Sequence, residues 1–102
     1  MSRKLIGAAL TTTLSDVYTV PSGKVADVYN LNLAYNGTAA TAEVTIKAEV
    51  SATEYFIHAS LPVTRASYTP RGEYPLQAGD KIRASCTATG CTLLLSVREV
   101  NA

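Results

Sequence analysis

The sequence is poor in the residues that build most catalytic and metal sites. It has one histidine, His58, two cysteines and no tryptophan in 102 residues. One histidine cannot supply a histidine-rich metal site, and two cysteines alone cannot complete a structural zinc site. Neither a Gly-x-Ser-x-Gly motif nor a phosphate-loop spacing of glycines occurs. We therefore predict a non-enzymatic protein without catalytic, metal or cofactor-binding residues, and we expect His58 to be a structural residue of a strand.

Strong net charge and long apolar runs are also missing. Nine Lys and Arg against eight Asp and Glu give a net charge of +1, and these residues are spread along the chain. Proteins that bind nucleic acid through phosphates usually cluster their cations, so we expect no direct nucleic-acid binding. The apolar stretch after Arg3 and Lys4 is shorter than the roughly 7–15 residues of a signal peptide or the roughly 20 of a membrane span. We expect residues 1–10 to form a first strand or arm, with no membrane contact.

Apolar and polar residues alternate with a period of two, which is typical of half-buried strands. The pattern predicts long strands over residues 24–36, 41–51, 81–88 and 91–97, and shorter ones over 3–10, 17–20 and 54–59. In the first of these we expect an inward face of Val25, Tyr29, Leu31, Leu33 and Tyr35. In the second we expect Ala42, Val44, Ile46, Ala48 and Val50 on one side.

We predict that the last two strands form a hairpin across the turn at Thr89-Gly90. If Cys86 pairs with Cys91, then Ala84 meets Leu93, and every inward residue faces an inward residue. A disulfide between the two cysteines is geometrically possible in that register. A reducing cytosol favours a pair of buried thiols instead, so both states stay open.

Prolines at positions 62, 70 and 75 interrupt residues 61–77, which we interpret as a long connection with one or two short edge strands. This connection and its surroundings hold tyrosines and arginines, the residue types favoured in protein–protein contacts. With the N-terminal cations, they give the candidate contact residues Arg3, Lys4, Tyr55, Arg65, Tyr68, Arg71 and Tyr74. About seven or eight short strands and no helix predict one all-β domain over residues 1–102, a β-sandwich of jelly-roll or Greek-key type.

Several short segments resemble small virion proteins of tailed bacteriophages, in particular capsid decoration, or cement, proteins. They are residues 9–14 (ALTTTL), 17–24 (VYTVPSGK), 36–42 (NGTAATA) and 76–83 (LQAGDKIR). The resemblance implies a non-enzymatic structural protein, made in the host cytoplasm, that binds the outer capsid surface of the virion. Its implied partners are the major capsid protein and further copies of itself, as a dimer or trimer.

Two alternatives remain open at this point. One is a tail or head-fibre component, and the other is a carbohydrate- or receptor-binding β-sandwich module. Exposed aromatic rings often stack on sugars; the missing tryptophan disfavours the binding module, whereas six tyrosines keep it open.

Overall fold

The computed structural model describes residues 2–63, 67–68 and 73–102. These residues form nine β-strands in two antiparallel sheets, which confirms the predicted all-β sandwich. The strands are β1 (Ser2–Ala9), β2 (Ser15–Thr19), β3 (Lys24–Tyr35), β4 (Ala42–Val50), β5 (Thr53–Val63), β6 (Ser67–Tyr68), β7 (Tyr74–Leu76), β8 (Lys81–Cys86) and β9 (Cys91–Asn101).

The strand order is that of a jelly roll. Sheet A runs β1-β9-β3-β6, with β7 also paired to β3, and sheet B runs β2-β8-β4-β5. Short β6 and β7 lie along the same side of β3 and together fill one strand position. Most connections between consecutive strands therefore cross from one sheet to the other, as two interleaved Greek keys require.

The core lies between the inward faces of the two sheets. In β4 the predicted inward residues Ala42, Val44, Ile46 and Ala48 are buried, and Val50 at the strand end is half-buried. Fully buried leucines from sheet A, Leu31, Leu33, Leu93 and Leu95, face them across the sandwich. Because alternation buries every second side chain, each of these strands contributes one face to the core.

The predicted inward face of β3 is wrong at its start. Val28 pairs with Val97 and Asn30 with Ser96, so Tyr29 is an extra residue in a β-bulge. The bulge shifts the alternation by one residue. As a result Ala26 and Val28 are buried, while Val25 and Tyr29 are only half-buried.

The predicted hairpin between the last two strands is also wrong. β8 lies in sheet B and β9 in sheet A, so the inward residues of these strands meet across the core instead of along one ladder. Cys86 and Cys91 sit at the corner where the chain crosses between the sheets, and they form a disulfide with a Cα–Cα distance of 6.6 Å. The inward-facing residues of β8 and β9 are the same in a hairpin and in a corner between the sheets. The alternation therefore could not distinguish these two arrangements.

The described parts of the proline-containing segment include regular structure. β5 extends into its first residues, where Pro62 pairs with Glu43, and β6 and β7 lie within it. Pro62 is tolerated because β5 is an edge strand, with no described partner on its other side. Within the described parts of the chain, no helix is long and apolar enough to cross a membrane.

Candidate functional site: two edges and two unlike faces

A cluster of charged and polar side chains around a buried carboxylate connects the two sheets at one end of the sandwich. Glu99 of β9 is only 1% exposed, and its carboxylate accepts a 2.5 Å hydrogen bond from the hydroxyl of Tyr18 in β2. Lys4 of β1 places its Nζ 3.0 Å from the other carboxylate oxygen, in an ion pair whose angles do not meet those of a hydrogen bond. The Tyr18–Glu99 bond therefore links the two sheets through their interior.

This cluster perturbs both titrating partners. The hydrogen bond from Tyr18, then the contact with Lys4, lowers the pKa of the Glu99 carboxyl against the opposing effect of burial. Burial, then the hydrogen bond to the Glu99 carboxylate, raises the pKa of the Tyr18 phenol. At neutral pH the cluster therefore holds the carboxylate form of Glu99 and the neutral phenol of Tyr18.

The outer face of sheet B carries a chain of ion pairs across all four strands. Arg83 of β8 bonds through Nε to Asp16 of β2 at 2.8 Å and through Nη1 to Glu54 of β5 at 2.7 Å. Lys81 and Lys47 pair with the same two carboxylates at 3.2 and 3.5 Å. The hydrogen bond from Lys81 contributes most to a lowered pKa of Asp16, and that from Arg83 most to a lowered pKa of Glu54. Three cations of this face are thus paired with two carboxylates of the same chain.

The outer face of sheet A is different, because its central rows carry no charge. The strand register aligns Leu5, Ser96 and Asn30 in one row, Gly7, Leu94 and Asn32 in the next, and Ala9, Thr92 and Ala34 in a third. Leu5 is 66% exposed, and Leu94 is also exposed, lying close to Gly7. This half of the face is therefore a small, uncharged, partly apolar surface.

A shallow groove of about 430 Å³ lies beyond these rows, beside β7. Val25, Gln77 and Val100 line it together with Asp27 and Arg98. The Arg98 guanidinium stands 3.8 Å from the Asp27 carboxylate and 5.4 Å from the centre of the Tyr29 ring. The two charged residues that line the groove, Asp27 and Arg98, thus pair with each other, and aliphatic side chains surround them.

The edge formed by β5 presents two large aromatic side chains. Tyr55 is 59% exposed and Phe56 is 63% exposed, and Lys47 places its ammonium 4.8 Å from the centre of the Phe56 ring. His58 is a half-buried residue of the same strand, opposite Ile46, and its Nε2 has no hydrogen-bond partner among the described residues. We call Tyr55 and Phe56 the aromatic edge.

The structure separates the predicted contact residues into two groups. Arg3 and Lys4 lie on β1, at one lateral edge of the sandwich, whereas Tyr55 and Tyr74 lie on β5 and β7, at the opposite edge. Lys4 is engaged by Glu99, and Tyr74 is half-buried against the core. Arg65, Arg71 and the side chain of Tyr68 fall outside the described residues. The predicted set is therefore not one surface.

The sequence reasoning missed Glu99 and Phe56. Glu99 continues the inward-facing positions of β9, which are Cys91, Leu93, Leu95 and Val97. Because charged side chains are rarely buried without a partner, its position in the sequence already indicated a buried, paired carboxylate. No described group of three or more His, Cys, Asp or Glu side chains has the arrangement of a metal site.

Comparisons with known proteins reveal similarity in fold. No protein-family model and no curated protein sequence matches the chain. Two crystal structures of a pentameric capsid protein isolated from metagenomic phage sequences, one solved by iodide phasing, match 95% of this chain at 16% sequence identity, with TM-scores of 0.50 and 0.51. The chain spans 61% and 62% of the length of those two chains. At this level of identity, the likeness shows a shared fold.

Proposed function

We propose that this chain is a non-enzymatic structural protein of a phage particle, and that it decorates the assembled capsid. The observation that carries the proposal is the similarity in fold, over 95% of the chain, to a pentameric capsid protein isolated from metagenomic phage sequences. The sequence segments that resemble tailed-phage virion proteins support the same assignment. The expected partners are the major capsid protein and further copies of this chain, on the outer surface of the head.

The aromatic edge is the surface that best suits the capsid contact. Exposed aromatic side chains dominate binding energy in protein interfaces because they bury large areas at little entropic cost. Tyr55 and Phe56 are the two exposed aromatic residues among the described large hydrophobic side chains. They lie on β5, the strand that precedes the Tyr- and Arg-containing connection in the chain. Arg3 is a second candidate contact, and a cleaner probe than Lys4, since Lys4 also neutralises Glu99.

Decoration works by mass action. A protein that binds the assembled shell and not the free capsid subunits stabilises the shell in proportion to its bound copies. Repeated sites on a symmetric shell multiply contacts that are individually weak. A sandwich with an internal disulfide and an ion-paired outer face suits this role, because it adds contacts without having to refold.

Co-sedimentation with phage heads that lack the protein tests the proposal. We expect saturable binding at a fixed copy number per head and a higher temperature of head disruption. The double variant Tyr55→Ala with Phe56→Ala should bind at least about tenfold more weakly, whereas Thr92→Ala, an exposed change on the outer face of sheet A, should bind as the unchanged protein does. Binding that resists the aromatic substitutions would remove this edge from the proposal. Recovery of the protein from purified tails, with no binding to heads, would reject decoration.

A further inference from the structure

None of the described strands pairs with the outer edge of β1, which therefore exposes a row of backbone groups. Leu10 donates its N–H to the carbonyl of Cys91 in β9, so the N–H at this position points toward β9. In an antiparallel pair the backbone groups of successive residues point alternately to one side and the other. Therefore Lys4, Ile6 and Ala8 bond to β9, as Leu10 does. The N–H and C=O groups of Arg3, Leu5, Gly7 and Ala9 point to the free side of the sheet.

The other three described edges are protected against strand pairing. β2 has five residues with a bulge between Asp16 and Tyr18, and β5 contains Pro62, two register shifts and a positive φ at Ser60. β6 and β7 have two and three residues, and β7 contains Pro75. Bulges, prolines and short strands are the devices by which natural sheets prevent edge-to-edge association.

β1 has none of these devices. It is eight residues long, it contains no proline, and its register with β9 runs without a shift from Ser2 to Ala9. Its one inward charge, Lys4, is matched within the chain by Glu99 and does not block the edge. A long, regular, accessible edge is a template for strand addition. We propose that β1 pairs with β1 of a second copy of this chain, in an antiparallel, two-fold symmetric ladder.

A second copy of this chain is the favoured partner of the β1 edge, because β1 itself is the one described edge strand that is regular enough to pair with it. Pairing two edges requires regular strands on both sides, and among the described edges only β1 qualifies. A two-fold interface then brings the same strand from each copy together. The register with the two-fold axis at Ile6 uses every outward-pointing group: Arg3 pairs with Ala9 of the partner subunit and Leu5 with Gly7 of the partner subunit.

The side chains of that register are compatible on both faces. On the outer face, exposed Leu5 lies over the space left by the partner's Gly7, beside the partner's Leu94, which packs close to that glycine. On the inner face, half-buried Ile6 meets its own symmetry mate. The two Arg3 positions are about 20 Å apart along the ladder, beyond the roughly 10 Å screening length at 0.1 M salt, so their repulsion is small.

Such a pair is weak in dilute solution. Ladder contacts along one strand bury less than the roughly 1,200 Å² of a standard stable interface, so we expect a dissociation constant on the order of 10⁻⁴ M. Copies held close together on a particle would pair far more completely than free copies, because their effective concentration is higher.

Residue-resolved amide hydrogen exchange on the isolated protein tests the pairing. At about 10 µM the amides of Lys4, Ile6 and Ala8 should be protected and those of Leu5, Gly7 and Ala9 should exchange quickly, in the alternating pattern of an edge strand. At about 1 mM the second set should slow at least about threefold, in step with a monomer–dimer transition seen by sedimentation.

Leu5→Pro provides the matched test by substitution. Its missing N–H is one that points away from β9, so an edge strand can accept the proline with its own ladder intact. We expect Leu5→Pro to weaken dimerisation at least about tenfold, and Leu5→Ala, which keeps the N–H, to weaken it less, about threefold. Should Leu5→Pro fail to fold, the exchange pattern of the unchanged protein decides by itself.

Three results would overturn the pairing. One is a protein that stays monomeric up to about 1 mM, with outward amides exchanging fast throughout. A second is a dimer in which those amides remain unprotected. The third is protection that develops only when phage heads are added, which would assign the added strand to the shell. None of these depends on whether the aromatic edge binds capsids, so the two proposals can fail separately.

Discussion

Replacing Tyr18 with phenylalanine removes one hydroxyl from the charge cluster and leaves the volume of the core almost unchanged. Tyr18 is 7% exposed and Glu99 is 1% exposed, so water cannot readily take the place of the lost donor. A buried hydrogen bond to a charged acceptor contributes about 1.5–3 kcal/mol. We expect Tyr18→Phe to lower the free energy of unfolding by that amount, and the melting temperature by about 7–14 °C for a domain of this size.

The pH dependence provides a second signature of the same bond. The pKa of Glu99 is lowered in the folded protein, so its stabilising contribution is complete above the unfolded pKa of about 4.3 and is lost as the pH falls through the folded value. The pKa of Tyr18 is raised, so its contribution is complete below the unfolded pKa of about 10 and is lost as the pH rises toward the folded value. Tyr18→Phe should therefore flatten both the acid and the alkaline limb of the stability curve.

Urea denaturation between about pH 3 and 11 measures both effects. Tyr55→Phe, which removes a hydroxyl from an exposed ring, is the control and should change stability by less than about 0.5 kcal/mol. A double-mutant cycle with Glu99→Gln isolates the pairwise term. A loss below about 0.5 kcal/mol for Tyr18→Phe, with unchanged acid and alkaline limbs, would refute the assignment of this bond as the link between the sheets.

Three further stability changes follow from the backbone and the disulfide. Ala52 has a φ of 65° in the turn between β4 and β5, so Ala52→Gly should raise the free energy of unfolding by about 1 kcal/mol in urea titrations; a loss would contradict the left-handed turn. Gly90 has a φ of 103°, and a Cβ there would overlap the backbone of Gly37. Gly90→Ala should therefore lower the free energy of unfolding by about 2–4 kcal/mol. Gly79→Ala should lower it clearly less, because φ is also positive there but no atom lies near the added Cβ. Reducing the Cys86–Cys91 disulfide, a short loop, should cost about 2 kcal/mol, and identical unfolding curves with and without reductant would show that the thiols are free in the purified protein.

Much of the sandwich could be predicted from the alternation of side chains. The inward faces of β4, β8 and β9 were predicted correctly, because each of these strands keeps one parity from end to end. The error in β3 comes from its bulge, since one inserted residue exchanges the two faces of everything on its far side. No local composition marks Tyr29 as the inserted residue. The difference emerges only when β3 is paired with β9.

The partner of each strand was harder to predict than its faces. β8 and β9 have complementary inward residues and a short turn, which fit a hairpin as well as a corner between sheets. Which arrangement forms depends on the partners that β2, β4, β1 and β3 provide, and these are distant in sequence. The ion pairs of the outer face of sheet B depend on the same long-range order. Asp16 and Arg83 are 67 positions apart, so their contact could not be read from local spacing.

For the contact residues too, the residue type could be predicted from the sequence but the position in the fold could not. The N-terminal cations and the Tyr and Arg residues pointed to residues 1–10 and to the connection over residues 61–77 as contact elements. Composition could not show that Lys4 pairs with Glu99 or that the two groups occupy opposite edges. Conversely, exposed Phe56 was passed over because an apolar residue in an apolar strand is the ordinary core pattern. Phe56 lies outward because it pairs with Lys47, an outward residue of β4, in the regular register that follows the turn and precedes the shifts of β5.

Electron cryomicroscopy of the purified phage particle tests the central claim most directly. We expect one jelly-roll density of this size per repeating site on the outer surface of the head, with β5 and its aromatic side chains facing the major capsid protein. Density of the same shape found only in the tail or its fibres, with a bare outer head surface, would contradict decoration of the capsid.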